Sequence, residues 1–466
     1  MNKTFAIFGV AILMATCGTA VAQTRRMSPQ QSDARKSVSA AQMKATIEKL
    51  VSFGTRNTIS AATPEAIQTG KGIGAAREWI KAEFERYSKE CGGCLEVKTD
   101  SVTEGPAPRI PQPTEIVNVY AVLRGSDPAS AKRIYVVSGH YDSRGTDTLD
   151  AKADAPGAND DGSGVAVVLE AARVLSREKF PATIVFLAVA GEEQGLNGSK
   201  HFAKMAREQG WDIEGVLNDD TVGGDRSPGQ KNILRVFAEG IPASDLNESG
   251  NLRSLRRIRA LGGENDSSSR ELARYIENER RGATGQGRAG QKDALAVKVI
   301  YRPDRYLRGG DHTSFNEQGF AAVRLTEWRE NYNHQHQNPR TESGIEYGDL
   351  PKFLDFEYLA EVARLNVATL ASLASAPASP ANVRLLTKEL VNDSTLAWDS
   401  APNGLVDHYE IVWRDTTAPE WQNAKVVPAN ATRGTVDVSK DNVILGVRAV
   451  SKGGAKSIAV VPVPER

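Results

Sequence analysis

Thr183-Ile184-Val185-Phe186-Leu187-Ala188-Val189 is an unbroken apolar run that ends on Gly191-Glu192-Glu193-Gln194-Gly195. A strand with one wet face alternates apolar and polar residues. A short run with no alternation fits a strand buried on both faces, as at the centre of a parallel sheet. Such a sheet needs helices on either side, and the flanking sequence supplies them. Val165, Val168, Leu169, Ala172 and Leu175 recur at helical spacing, predicting a helix over 164–177.

Further out the alternation continues. Helical patterning covers 40–51, 75–87, 199–208, 268–279 and 353–373. Strand-like runs lie at 117–123, 133–138, 296–301 and 321–325, with another ending near Leu217. This order predicts an α/β fold with a mixed, mostly parallel sheet flanked by helices. Composition changes at 376–380, inside the linker-like Ser-Ala-Pro-Ala-Ser-Pro. Beyond it, short strand candidates at 395–398, 408–413, 435–438, 444–450 and 458–463 predict a small all-β sandwich over 381–466. Its sequence resembles a fibronectin type III module, with Trp398 and Tyr409 in the expected places.

The N-terminus reads as a cleavable signal peptide over 1–22: Lys3, an apolar run over 5–15, then Ala20-Val21-Ala22. That predicts a secreted or periplasmic protein, with a polar leader over 23–37 and a main domain over 38–375. No later segment has eighteen consecutive apolar residues, so no membrane span is expected. The formal net charge is zero, which gives no basis for nucleic-acid binding. Once the leader is removed, Cys91 and Cys94 are the remaining cysteines. In an oxidising compartment they are expected to form a disulfide across a turn, since no second pair completes a zinc site.

Five stretches concentrate acids and histidines. In Ser138-Gly139-His140-Tyr141-Asp142, an imidazole suits zinc, and a carboxylate two residues on can fix its tautomer. In Asn159-Asp160-Asp161-Gly162-Ser163-Gly164, Asp161 or Ser163 fits a helix cap, while Asp160 is placed to bridge two metals. Glu192 and Glu193 follow the apolar run, where adjacent buried acids are costly without compensation. One as ligand and the other as general base explains the pair. Asn218-Asp219-Asp220 follows the next strand, and His334-Gln335-His336 places two of the six histidines in one loop.

In this order and spacing the set is similar to the co-catalytic dizinc aminopeptidases, a family that extends to glutamate carboxypeptidase and glutaminyl cyclase. The match runs from about residue 40 to 375. It implies two zinc ions bridged by Asp160, with His140 and Asp220 on one and Glu193 and His336 on the other. It further implies Glu192 as general base and Asp142 as the outer partner of His140. Asp219 and His334 stand as alternatives to Asp220 and His336. Thr341 lies at the family's distance from His336, although Arg340 replaces the acid usually found before that threonine. Asp311 and His312, in Gly-Gly-Asp-His-Thr-Ser-Phe, match a segment near the family's substrate pocket.

The resemblance thus implies an exopeptidase acting on peptides from the amino end. Arg302, Arg305 and Arg308 before Asp311 keep a carboxypeptidase or dipeptidase reading open, because arginines can pair with a substrate carboxylate. A one-zinc glutaminyl cyclase and an inactive binding protein on the same scaffold also stay open. His201 and His408 are expected to be structural or surface residues.

Overall fold

Thr183–Val189 is a strand in which every residue is buried. Its alternate side chains face two different cores. Ile184, Phe186 and Ala188 pack with helices Ala40–Val51, Gly72–Glu90, Gly162–Leu175 and Phe356–Ser375. Val185, Leu187 and Val189 pack against Phe202 and Ala206 of helix Asn197–Glu208 and Phe315 of helix Asp311–Glu317. Each large apolar side chain buried this way contributes about 1.5–3 kcal/mol. The computed structural model describes residues 34–246, 252–284, 294–401 and 404–465. The signal peptide expected over 1–22 and the leader up to residue 33 lie outside them.

The sheet has eight strands: β1 (Leu95–Glu104), β2 (Thr114–Leu123), β3 (Arg133–His140), β4 (Thr183–Val189), β5 (Asp212–Asp219), β6 (Ile233–Phe237), β7 (Ala296–Ile300) and β8 (Ala322–Glu327). Their order is β1-β2-β4-β3-β5-β8-β6-β7. The central four, β4, β3, β5 and β8, are mutually parallel. On one side β2 and β1 join antiparallel. On the other β6 runs against β8 and carries β7 parallel to itself. This is the predicted mixed, mostly parallel sheet. Because the central strands share a direction, their C-terminal ends line one crevice.

Close approach at that crevice explains the glycines of the 157–164 stretch. A Cβ on Gly139 would come within 2.5 Å of the Gly164 backbone, and one on Gly164 within 2.2 Å of the Asp219 carbonyl. The start of helix Gly162–Leu175 is therefore pressed directly against β3 and β5. Asp161 caps it, accepting from Gly164 N at 2.9 Å, and also accepts from the His140 and Thr221 amides. The cap thus ties three of the acid-rich stretches together.

After β8 come a small hairpin, β9 (Arg340–Glu342) with β10 (Ile345–Tyr347), and the long helix Phe356–Ser375. The C-terminal strands are β11 (Ala381–Leu386), β12 (Ser394–Asp399), β13 (Val406–Asp415), β14 (Asn423–Pro428), β15 (Arg433–Val436), β16 (Val443–Ser451) and β17 (Val463–Glu465). They make a four-stranded sheet, β15-β12-β11-β17, and a three-stranded one, β14-β13-β16. Trp398, Tyr409, Ile411 and Val447 fill the space between them, with Trp398 and Tyr409 ring centroids 5.5 Å apart. The strand expected over 458–463 is not formed as such. Val460 makes an isolated bridge and the strand starts at Val463, because Pro462 has no N–H to give a ladder.

The C-terminal sheets are docked on helix Ser268–Thr284. Arg414, 1% exposed, reaches Asp266; Trp421 Nε1 donates to Glu271 at 3.1 Å, and Arg274 Nε donates to the Pro419 carbonyl at 2.9 Å. Among the described residues no helix is long and apolar enough to cross a membrane. Cys91 and Cys94 sit just after helix Gly72–Glu90 with their sulfurs 2.02 Å apart.

Within β13, Glu410 is buried between Arg448 Nε at 2.6 Å and Lys456 Nζ at 2.9 Å. Burial opposes its charge, yet the two cations outweigh burial and hold the carboxyl down at about 2. Its folded-state pKa is depressed, so its contribution is present above the unfolded value of about 4.5 and lost as pH falls toward 2. That contribution amounts to about 3 kcal/mol. Melting of the whole chain at pH 5 and pH 3 is expected to show a steeper acid loss than in Glu410→Gln. Equal slopes would remove Glu410 as a source of the acid loss.

Candidate active site

Each acid-rich stretch leaves the sheet at the C-terminal end of a parallel strand. His140 ends β3, Glu192 and Glu193 follow β4, Asp220 follows β5, and His336 comes from the loop after β8. Asp160 stands immediately before the capped helix. Its amide is held by Asp349, whose carboxylate accepts from Asn159 N at 2.8 Å and Asp160 N at 2.7 Å. The strands fix the direction of each side chain and the cap fixes their spacing.

The Asp160 carboxylate stands between the two histidines. Oδ1 lies 3.1 Å from His140 Nε2 and Oδ2 lies 2.8 Å from His336 Nε2. His336 Nε2 is also 3.0 Å from Glu193 Oε1. Two groups of donor atoms result, each within 4.8 Å: His140, Glu192 and Asp220, and Asp160, Glu193 and His336. Burial works against the charge on Asp160, but His336 and His140 hold its carboxyl well below the usual range. Imidazole nitrogen with carboxylate oxygen is a donor set that zinc accepts, and buried acids at this density call for cations. The residues fit a metal pair.

Orientation comes from the surroundings. His140 Nδ1 lies 3.1 Å from the Asp142 carbonyl and 3.4 Å from Asp142 Oδ1, leaving Nε2 to face the donor cluster. The Asp142 carboxylate also accepts from Glu193 N at 3.1 Å, Glu192 N at 3.3 Å and Thr58 Oγ1 at 2.8 Å. It therefore joins the histidine and glutamate stretches. His336 adopts φ +58, a left-handed conformation uncommon outside glycine and concentrated at functional sites.

The two pairs left open by the sequence separate here. Asp219 is fully buried and accepts from Asn366 Nδ2 at 2.9 Å, outside both donor groups. His334 bonds to Asp225 and stacks on Phe353 with centroids 3.7 Å apart. Both support the loops, whereas Asp220 and His336 face the cluster. His201 pairs with Asp100 and His408 with Asp407, away from it.

Glu192 lines an open cleft of about 410 Å³ together with Asp160, Glu193, Asp220 and His336. Burial pushes its carboxyl well above the usual range against the pull of His140, and Glu193 and Asp220 push it further. A carboxyl of raised basicity beside two such donor groups suits proton transfer. By distance it also belongs with His140 and Asp220, so position alone leaves it as base or ligand.

Asp311 is fully buried, and burial pushes its carboxyl up to about 7 against the pull of His140. His312 does not line the cleft; its Nε2 lies 2.8 Å from the Pro303 carbonyl and so anchors the loop that carries Arg305 and Arg308. Arg308 does line the cleft.

Several contributors gave no signal in the sequence. Arg324 on β8 is 1% exposed and donates to Asp220 Oδ1 at 2.8 Å. Arg144 Nε is 2.9 Å from Glu193 Oε2, and its Nη2 is 2.6 Å from His336 Nδ1. Gln335 Nε2 donates to Asp160 Oδ2 at 2.6 Å. Arg56, fully buried, donates to the carbonyls of Tyr141, Pro156 and Gly157 and staples the loop between His140 and Asp160. Isolated arginines carry no spacing rule, and nothing about Gln335 between its two histidines marks it as a partner of Asp160, so only the folded chain reveals these contacts.

The chain is similar to known zinc metalloproteases. The sequence model of peptidase family M28 matches residues 118–248. A probable zinc metalloprotease of Pyrenophora tritici-repentis is 46% identical over 430 residues, covering 92% of this chain and 85% of that protein. One from Leptosphaeria maculans is 45% identical over 430 residues, covering 92% and 95%. Among solved structures, Legionella LapA has a TM-score of 0.50 at 24% identity, covering 74% of this chain and 76% of that one. LapB of Legionella pneumophila has a TM-score of 0.50 at 19% identity, covering 74% and 75%, and like LapA shares the fold. With nearly half its residues shared across almost its whole length, the chain belongs to peptidase family M28 and is a zinc metallopeptidase.

Proposed function

We propose that this metallopeptidase is an exported exopeptidase that removes N-terminal residues from peptides and works with two zinc ions. The observation that carries the reading is Asp160, whose two oxygens face one histidine each. His140, Asp160 and Asp220 would hold one zinc, and Asp160, Glu193 and His336 the other. When bound, the ions supply Lewis acidity toward the peptide carbonyl and bring the pKa of water to roughly 7.

The chain's own groups do the rest. Glu192 takes the proton of the attacking water and returns it to the departing amine at the same carboxylate. Asp142 holds His140 in the tautomer that turns Nε2 toward Asp160. Arg324 holds the Asp220 carboxylate through Oδ1. The acids Glu192 and Asp220 lining the cleft favour an ammonium group there, which supports cleavage from the amino end.

Export is proposed from the signal-like pattern of residues 1–22. The pairing of Cys91 with Cys94 as a disulfide fits an oxidising compartment. The C-terminal sheets are proposed as a fibronectin type III-like module.

Neutral peptides of six or more residues test the direction of attack. Carboxyl-amidated peptides are expected to lose their N-terminal residue, and amino-acetylated ones to resist. Cleavage of acetylated peptides from the carboxyl end would overturn the aminopeptidase reading.

A further inference from the structure

The cleft beside the metal ligands is lined by five arginines: Arg109, Arg144, Arg305, Arg308 and Arg324. Most are taken up. Arg324 is held by Asp220 at 2.8 Å, and Arg144 by Glu193 at 2.9 Å. Arg305 is held by Asp304 at 2.9 Å and by Glu330. Arg308 is different. Its contacts are long: 3.6 Å to Glu330, a carboxylate that already serves Arg305, and 3.4 Å to the Tyr332 hydroxyl. Its side chain is 34% exposed. A guanidinium forks toward a carboxylate with two parallel N–H bonds, and among the described residues no short acceptor occupies that fork.

The loop around it is built at a cost. Leu307, next to Arg308, has φ +54 and a fully exposed side chain. An apolar residue in left-handed backbone, projecting into solvent at a cleft mouth, does nothing for folding. The loop is nonetheless anchored: His312 Nε2 bonds the Pro303 carbonyl, and Arg305 and Arg324 both donate to the Gly309 carbonyl at 3.1 Å. A held loop presenting one apolar and one cationic side chain beside the donor cluster has the makings of a substrate contact.

We propose that the cleft selects peptides carrying a carboxylate close to the scissile bond, and that Arg308 recognises it. The inference rests on the exopeptidase reading and deepens it. The buried acids receive the substrate amine, and the arginine wall receives an anion a short distance along the chain. A cleft of about 410 Å³ holds only a few residues, so that anion is either an acidic side chain or the C-terminus of a very short peptide.

Two substrate pairs distinguish these sources on the zinc-loaded full chain. Glutamyl-anilide against glutaminyl-anilide reads the side chain, and a neutral tripeptide acid against its amide reads the C-terminus. In at least one pair the anionic member is expected to be preferred about tenfold or more in kcat/KM, through KM. Arg308→Ala is expected to bring that ratio close to one, and Arg308→Lys to restore it in part, since lysine keeps the charge without the fork. Ratios near one in both pairs for the wild type, or a preference unchanged in Arg308→Ala, would overturn the proposal. Failure of the aminopeptidase reading is visible separately. Cleavage of an amino-acetylated tripeptide acid, with the same dependence on Arg308, would remove that reading and leave the carboxylate recognition standing.

Discussion

Glu192→Gln is expected to bind zinc like the wild type and to lose turnover by about 10²–10⁴-fold or more. Gln keeps the shape of Glu and its place in the cleft, and removes the ability to take a proton. The structure makes this a decisive substitution because two roles are open to Glu192. Its carboxylate lies in one donor group with His140 and Asp220, as a metal ligand would. Its raised basicity, from burial and from Glu193 and Asp220, fits a base. Zinc content and activity measured on the same preparation separate the two. Full zinc with lost turnover assigns the base. Loss of one zinc with the activity would make Glu192 a ligand, and unchanged turnover would exclude both.

Asp160→Asn is the second large effect. One carboxylate facing both histidines means that one substitution should weaken both proposed metal positions. Because the Asp160 amide is fixed by Asp349, an isosteric Asn is expected to keep the fold of the metal-free chain, with melting lowered by the loss of the ion pairs to His140 and His336. Zinc affinity should fall at both positions by more than the roughly 10–100-fold typical of outer-shell changes, and peptidase activity should vanish. His336→Ala, by contrast, removes a donor from one group only, so one zinc should remain. Loss of a single zinc in Asp160→Asn would mean that the carboxylate serves one metal, and the bridging assignment would fall.

Much of this was legible in the sequence because burial and spacing leave strong marks there. The central strand Thr183–Val189 was readable to the residue, since both its faces are apolar and its ends are set by Pro181 and Gly191. Helix Ala40–Val51 was equally plain. The long C-terminal helix of the main domain was displaced by a few residues, because its start is set by the Asp355 cap rather than by the apolar pattern. Strand β1 escaped because Leu95–Glu104 is an edge strand full of charged and polar residues, with only Leu95 and Val97 to mark an apolar alternation at its start and no apolar run.

The site divides along the same line. Residues in compact stretches, such as His140 with Asp142 and Glu192 with Glu193, declare themselves by local density. Spacing and the resemblance favoured Asp220 over Asp219 but kept Asp219 as an alternative, and the Asn366 contact on the long helix shows where Asp219 points. Arg324, Arg144 and Asp349 act on the proposed ligands from other parts of the chain, and no local pattern connects them.

The most direct test of the central claim is zinc content measured together with hydrolysis of aminoacyl-anilides on the purified chain. The expected result is close to two zinc ions per chain, with anilide release that a chelator abolishes and zinc restores. One zinc per chain after full reconstitution, or two with no release from any free-amine substrate, would contradict it.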